Sequence, residues 1–70
     1  MSDSLPRFQP GDRVRVMQTP EMEARGLGGR GGEVLRVYEY RGGLQHCVVR
    51  LVGEFASMDF SNFVLMRGGK

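Results

Sequence analysis

Two neighbouring residues, His46 and Cys47, are the first place to look for chemistry in this chain, because a thiol beside an imidazole is the raw material of nucleophilic catalysis. They sit in Gln45-His46-Cys47-Val48-Val49-Arg50-Leu51-Val52, an apolar and β-branched run that predicts a strand. Successive side chains of a strand point to opposite faces, so adjacent His and Cys cannot form a dyad with each other. Cys47 then reads as a small core residue and His46 as a surface one. With a single cysteine no disulfide closes within the chain, and His46 with Cys47 falls short of the four ligands of a structural zinc site. No residue is assigned a catalytic, metal-binding or cofactor-binding role.

The segment Gly26-Leu27-Gly28-Gly29-Arg30-Gly31-Gly32 invites comparison with a phosphate-binding loop. It lacks the lysine and hydroxyl residue of such loops, and the run that follows it predicts a strand, so no helix N-terminus receives the anion. The glycines are read instead as turns entering a strand, with positive φ values or a close approach of two backbones.

Nine arginines and one lysine stand against eight acidic residues, giving a net charge of +2 and an isoelectric point near 9.2. Gly11-Asp12-Arg13-Val14-Arg15-Val16, followed by Gly29-Arg30-Gly31-Gly32-Glu33-Val34-Leu35-Arg36-Val37, resembles the KOW element of ribosomal and transcription proteins. That resemblance implies a nucleic-acid or ribosome-associated binding module. The acidic residues are interspersed among the basic ones, however, with no block of like charge to form an electrostatic footprint. The arginines are expected on solvated strand exteriors, and nucleic acid is not the expected partner.

The elements that must position these residues follow from periodicity and punctuation. Eleven glycines argue for many turns and few helices, since a glycine inside a helix costs about 1 kcal/mol. Asp12 to Met17 alternates, with Val14 and Val16 on one face and Arg13 and Arg15 on the other. Thr19-Pro20 ends that strand, and Glu21 to Arg30 reads as a long loop, with one helical turn allowed by the Glu21–Arg25 spacing. Glu33 to Tyr40 is the second strand, with Leu35 and Val37 on one side and Val34, Arg36, Tyr38 and Tyr40 on the other. Arg41-Gly42-Gly43-Leu44 makes a hairpin turn into Gln45 to Val52, where Cys47, Val49 and Leu51 share a face. A fourth strand is expected over Phe55 to Phe60, a 3₁₀ turn at Ser61-Asn62-Phe63, and a fifth strand at Val64-Leu65-Met66. The fold class is therefore all-β: a small five-stranded SH3-like barrel with a long first loop and a 3₁₀ turn before the last strand. Residues 1–10 form an extended lead-in whose Leu5 or Phe8 packs onto the body, 11–66 the barrel domain, and 67–70 a tail.

An apolar fraction of 40% with 26% charged residues suits a folded, soluble chain. No apolar run approaches the ~20 residues that span a bilayer, so membrane insertion is not expected. The start Met1-Ser2-Asp3-Ser4-Leu5-Pro6 has neither a basic nor an apolar leader region, and the chain reads as cytoplasmic, or the equivalent plastid stroma. Below ~70–80 residues a single core supplies only ~3–5 kcal/mol, which points to support from a partner chain or from oligomerisation.

A more specific likeness runs from about residue 8 to about residue 66. Gly11-Asp12-Arg13-Val14-Arg15-Val16, Pro20-Glu21-Met22-Glu23, Gly26 to Val34, Glu39-Tyr40-Arg41-Gly42, Val48-Val49-Arg50-Leu51 and Phe55-Ala56 through Phe60 resemble the variable (alpha) chain of ferredoxin–thioredoxin reductase. Val48-Val49-Arg50-Leu51 and Ser61-Asn62-Phe63 are also similar to the ferredoxin-docking subunit of photosystem I, another SH3-like barrel. The first resemblance implies a non-catalytic subunit without a cofactor of its own. Its partner would be an iron–sulfur catalytic chain holding a [4Fe-4S] cluster and a redox-active disulfide, in an assembly that passes electrons from ferredoxin to thioredoxin. The partner-binding residues expected on this reading are outward-facing Met22 and Leu27 in the long loop, Tyr38 and Tyr40 on the second strand, and Arg30 as a polar contact.

Overall fold

The computed structural model describes residues 5–68. The first strand, β1 (Arg13–Val16), buries Val14 and Val16 and exposes the two arginines, as period-2 alternation requires. The stretch expected as a long loop instead opens with one helical turn, α1 (Pro20–Ala24). Thr19 caps it by accepting the Met22 amide at 3.1 Å, Pro20 occupies the first turn, and Glu21 and Glu23 face the positive end of the backbone dipoles.

Strand β2 (Gly31–Glu39) pairs with β1 on one side and with β3 (Gln45–Leu51) on the other. Its pairing with β3 slips between Val34 and Arg36, leaving Leu35 as the extra residue of a bulge. The slip corrects the strict alternation expected there: Val34 is buried, Val37 packs on the core, and Leu35 turns outward. At the hairpin, Gly42 and Gly43 take φ values of 72° and 80°, the left-handed conformation that the Gly-Gly pair was expected to supply.

Strand β4 is shorter and later than expected, Met58–Ser61, because only these residues find partners along β3, from Val49↔Met58 to His46↔Ser61. Residues 52–57 form a loop in which Phe55 is fully exposed. The expected 3₁₀ turn is present over Asn62–Val64, and β5 spans Leu65–Arg67. Arg67 thus belongs to the sheet, and the Gly68 amide donates to the Arg13 carbonyl at 2.9 Å, where a tail was expected.

The five strands make one antiparallel sheet in the order β4-β3-β2-β1-β5. No ladder joins β4 to β5, so the hydrogen-bonded sheet is open, where a closed barrel was expected. Flat, its two edges would lie about 19 Å apart at the usual strand spacing. The 3₁₀ turn between Ser61 and Leu65 spans only about 8 Å. The sheet must therefore curl until its edges approach, which is how a single sheet covers much of its own inner face. Phe8, Met22 and Leu27 close the rest over Val14, Val16, Val34, Cys47, Val49, Leu51, Phe60 and Leu65.

Two polar residues are buried with that core, Gln45 and Asn62. The Gln45 side chain meets the Phe8 backbone twice, accepting from its amide at 2.8 Å and donating to its carbonyl at 3.0 Å. Asn62 accepts from the Gln45 amide at 3.0 Å and donates to the Pro6 and Gly43 carbonyls at 2.7 and 3.0 Å. The lead-in is held down by this pair as well as by the burial of Phe8. No buried side-chain polar atom among the described residues lacks a partner.

Candidate functional site

Of the five residues expected to meet a partner, two face inward. Met22 and Leu27 are 6% and 7% exposed, which overturns their assignment to the surface. The α1 turn is the cause: its last carbonyl groups accept from the amides of Gly26, Leu27 and Gly28, folding Leu27 back beside Met22 onto the core. A chain this short has little apolar surface to spare, and the only large apolar residues of the segment are drawn in.

Arg30 is half-buried and engaged within the chain. Its guanidinium donates to the Val52 carbonyl at 3.1 Å and to Glu54 at 3.2 Å, so it ties down the loop that carries Phe55.

Tyr38 and Tyr40 are exposed, as expected. Tyr38 lies opposite His46 in the β2–β3 register, and the Tyr40 and His46 rings stand 6.2 Å apart. His46 reaches Asp59 at 3.8 Å, and the Arg36 guanidinium donates to the Tyr38 hydroxyl at 3.4 Å, a contact that favours its charged form. These residues form an aromatic and polar patch at the hairpin end of the outer face.

Cys47 lies on the opposite side of the same strand, completely buried. Loss of solvation, and secondarily the charge of Glu39, push its thiol above the ordinary range. A thiol reagent at neutral pH should therefore leave the native chain unlabelled and modify it only as denaturant unfolds it. Stoichiometric labelling within the mixing time in native buffer would contradict this placement. Because the shift is upward, the protonated thiol is the form favoured by folding. Its contribution is complete below the ordinary thiol range and is lost as pH rises through the higher folded value. No group of three or more His, Cys, Asp or Glu side chains able to hold a metal occurs among the described residues.

The feature that one-dimensional reading missed is the segregation of charge. Register places Arg13, Arg15, Arg36 and Arg50 on the outer face of the sheet, against Glu33 and Asp59. The remainder of the chain has six charges of each sign, so the whole net charge of +2 resides on this face. None of the four arginines forms an ion pair among the described residues, whereas Arg7, Arg30 and Arg67 pair with Glu39, Glu54 and Asp12. Alternation within each strand hinted at the pattern; the alignment of strands that assembles it is a tertiary fact.

At the end of the outer face away from the hairpin lies a groove of about 480 Å³ lined by Arg13, Arg15, Gly31, Glu33, Arg50 and Val52, among others. Gly31 faces Arg15 across the β1–β2 ladder, and its carbonyl accepts from the Val52 amide at 2.9 Å, so a residue without a side chain separates the two walls. A smaller depression of about 310 Å³ lies where the Arg67 guanidinium stands 5.6 Å over the Phe8 ring.

No helix among the described residues is long and apolar enough to cross a membrane. Comparisons of the chain with protein-family models, with curated proteins and with solved structures give no match.

Proposed function

We propose that this chain is a non-catalytic binding subunit of a redox complex, an SH3-like barrel in the manner of the ferredoxin–thioredoxin reductase variable chain. Its partner on this reading is an iron–sulfur catalytic chain carrying a [4Fe-4S] cluster, with ferredoxin and thioredoxin as partners of the assembly. The strand order and the edges drawn together by a 3₁₀ turn are compatible with such a barrel.

The observation that carries the reading is apolar surface in excess. Leu35, Tyr38, Tyr40, Phe55, Phe63 and Met66 are each at least 41% exposed, against a core of eleven buried apolar residues among the described ones. Tyr, Phe, Met and Arg are the residue types enriched in protein interfaces, and Lys is depleted there; nine arginines against one lysine fit that bias. The role is geometric: to brace the catalytic chain and shield one side of its cluster from water. Tyr38 and Tyr40 are the proposed anchors. Buried Met22 and Leu27 contribute only through the core, and Arg30 contributes by positioning the 52–57 loop.

Co-expression with a catalytic chain of that type should yield a brown heterodimer by size exclusion. The double variant Tyr38→Ala, Tyr40→Ala should keep its circular dichroism and lose at least about tenfold in affinity, as buried aromatic anchors do. A chain that elutes as a colourless monomer beside the catalytic chain overturns the reading.

A further inference from the structure

The arginine groove lies at the far end of the sheet from Tyr38 and Tyr40, and the redox reading places no anchor on Arg13, Arg15 or Arg50. Three guanidinium groups, those of Arg13, Arg15 and Arg50, line it without an ion pair among the described residues. Two carboxylates also line it. Glu54 is neutralised by Arg30 at 3.2 Å, while Glu33, between Arg13 and Arg50 in the register, has no such partner among the described residues. The groove therefore has a cationic surplus of two. The loop Val52-Gly53-Glu54 forms one wall, and the next residue, Phe55, presents a fully exposed ring. Arg30 holds that loop in place through Val52 and Glu54.

We propose that this groove binds single-stranded nucleic acid, its phosphates on Arg13, Arg15 and Arg50 and one base stacked on Phe55. Guanidinium groups match phosphate oxygens in a bidentate fork and are more weakly hydrated than an ammonium, so they give up water at less cost. The missing side chain at Gly31 leaves room for the strand to approach the sheet. A cationic groove beside an unpartnered aromatic is the arrangement that holds single strands, because an unpaired base has a free face to stack and a duplex base does not. An acidic peptide would use the arginines but gain nothing specific from the Phe55 ring. Arg13, Arg15, Arg50 and Gly31 are not among the anchors of the redox reading, so Arg50→Ala and Gly31→Val should leave any complex with the iron–sulfur chain intact, whereas Phe55 and the 52–57 loop enter both readings.

Fluorescence anisotropy with a short labelled oligothymidylate, titrated at rising potassium chloride, tests it. Three phosphate contacts predict a log–log salt slope of about −2, and Arg50→Ala should remove about 0.7 of it. Phe55→Ala should weaken binding by about tenfold without changing the slope. Glu33→Gln should tighten binding, since it removes the one opposing charge. Gly31→Val should abolish binding while preserving the fold. A Cβ there meets only the Val14 carbonyl at 3.8 Å, and valine suits a strand. Binding of wild type without salt dependence, unchanged binding by Gly31→Val and Arg50→Ala, equal affinity for duplex, or displacement of the strand by an equal charge of oligoglutamate would each overturn the proposal.

Discussion

Gly32→Ala is expected to lower the melting temperature by about 10–20 °C. Gly32 sits on the inner side of β2, opposite Val14 on one neighbour and Leu51 on the other. A Cβ at this position would lie 2.7 Å from the Arg50 carbonyl oxygen, 2.9 Å from Val49 Cγ1 and 3.1 Å from Leu51 Cα. Two of these atoms belong to backbone held in the ladder and cannot rotate away, so β2 and β3 would have to separate. Gly32 is not one of the glycines with positive φ, so the effect is steric. Overpacking of this kind costs about 1–3 kcal/mol. That is a large share of the ~3–5 kcal/mol that so small a core supplies. Gly31→Ala, one residue earlier, is the control, because its added methyl finds almost open space. Thermal melts followed by circular dichroism separate the two; a Gly32→Ala melt within a few degrees of wild type would show that the sheet yields where the packing says it cannot.

Asn62→Ala should cost about 2–4 kcal/mol, the other large effect among single side chains. Asn62 is completely buried and joins three segments far apart in sequence: the Gln45 amide of β3, the Pro6 carbonyl of the lead-in and the Gly43 carbonyl of the hairpin turn. Alanine would leave the Gln45 amide without an acceptor in a place water does not reach, and it would free one end of the lead-in. Urea titration measures the total. Limited proteolysis near Arg7 should report the local opening before the sheet melts. Gln45→Ala breaks the same network through its two bonds to Phe8, so the double variant should lose less than the sum of the singles. Additive losses, or a cost for Asn62→Ala below about 1 kcal/mol, would mean that the pair does not act as one clamp.

These two residues also show how far a linear reading reaches. Asn62 was legible as part of a 3₁₀ turn, since its local backbone preferences announce a turn, but its role as a three-way hydrogen-bond hub depends on segments 19 and 56 residues away. Gly32 was legible as one of several glycines suited to turns or close contact. Which alternative applied to it depended on the β2–β3 register. Met22 and Leu27 depart from the linear expectation for a related reason: in a polar segment two isolated apolar residues look like surface contacts, and only the turn capped at Thr19, with the Gly26, Leu27 and Gly28 amides folded back onto its carbonyls, turns them inward.

Alternation of apolar and polar residues, read directly, was enough to specify β1 and β3, the burial of Val14, Val16, Cys47, Val49 and Leu51, and the Gly-Gly hairpin. Those are consequences of a two-residue period and of glycine's access to positive φ, both local properties of the chain. The bulge at Leu35, the late start of β4, the gathering of Arg13, Arg15, Arg36 and Arg50 on one face, and the groove over Gly31 were decided only by the tertiary structure. Each depends on how one strand slides along its neighbour, and the energy that sets that register comes from packing and pairing between residues that local sequence does not bring together.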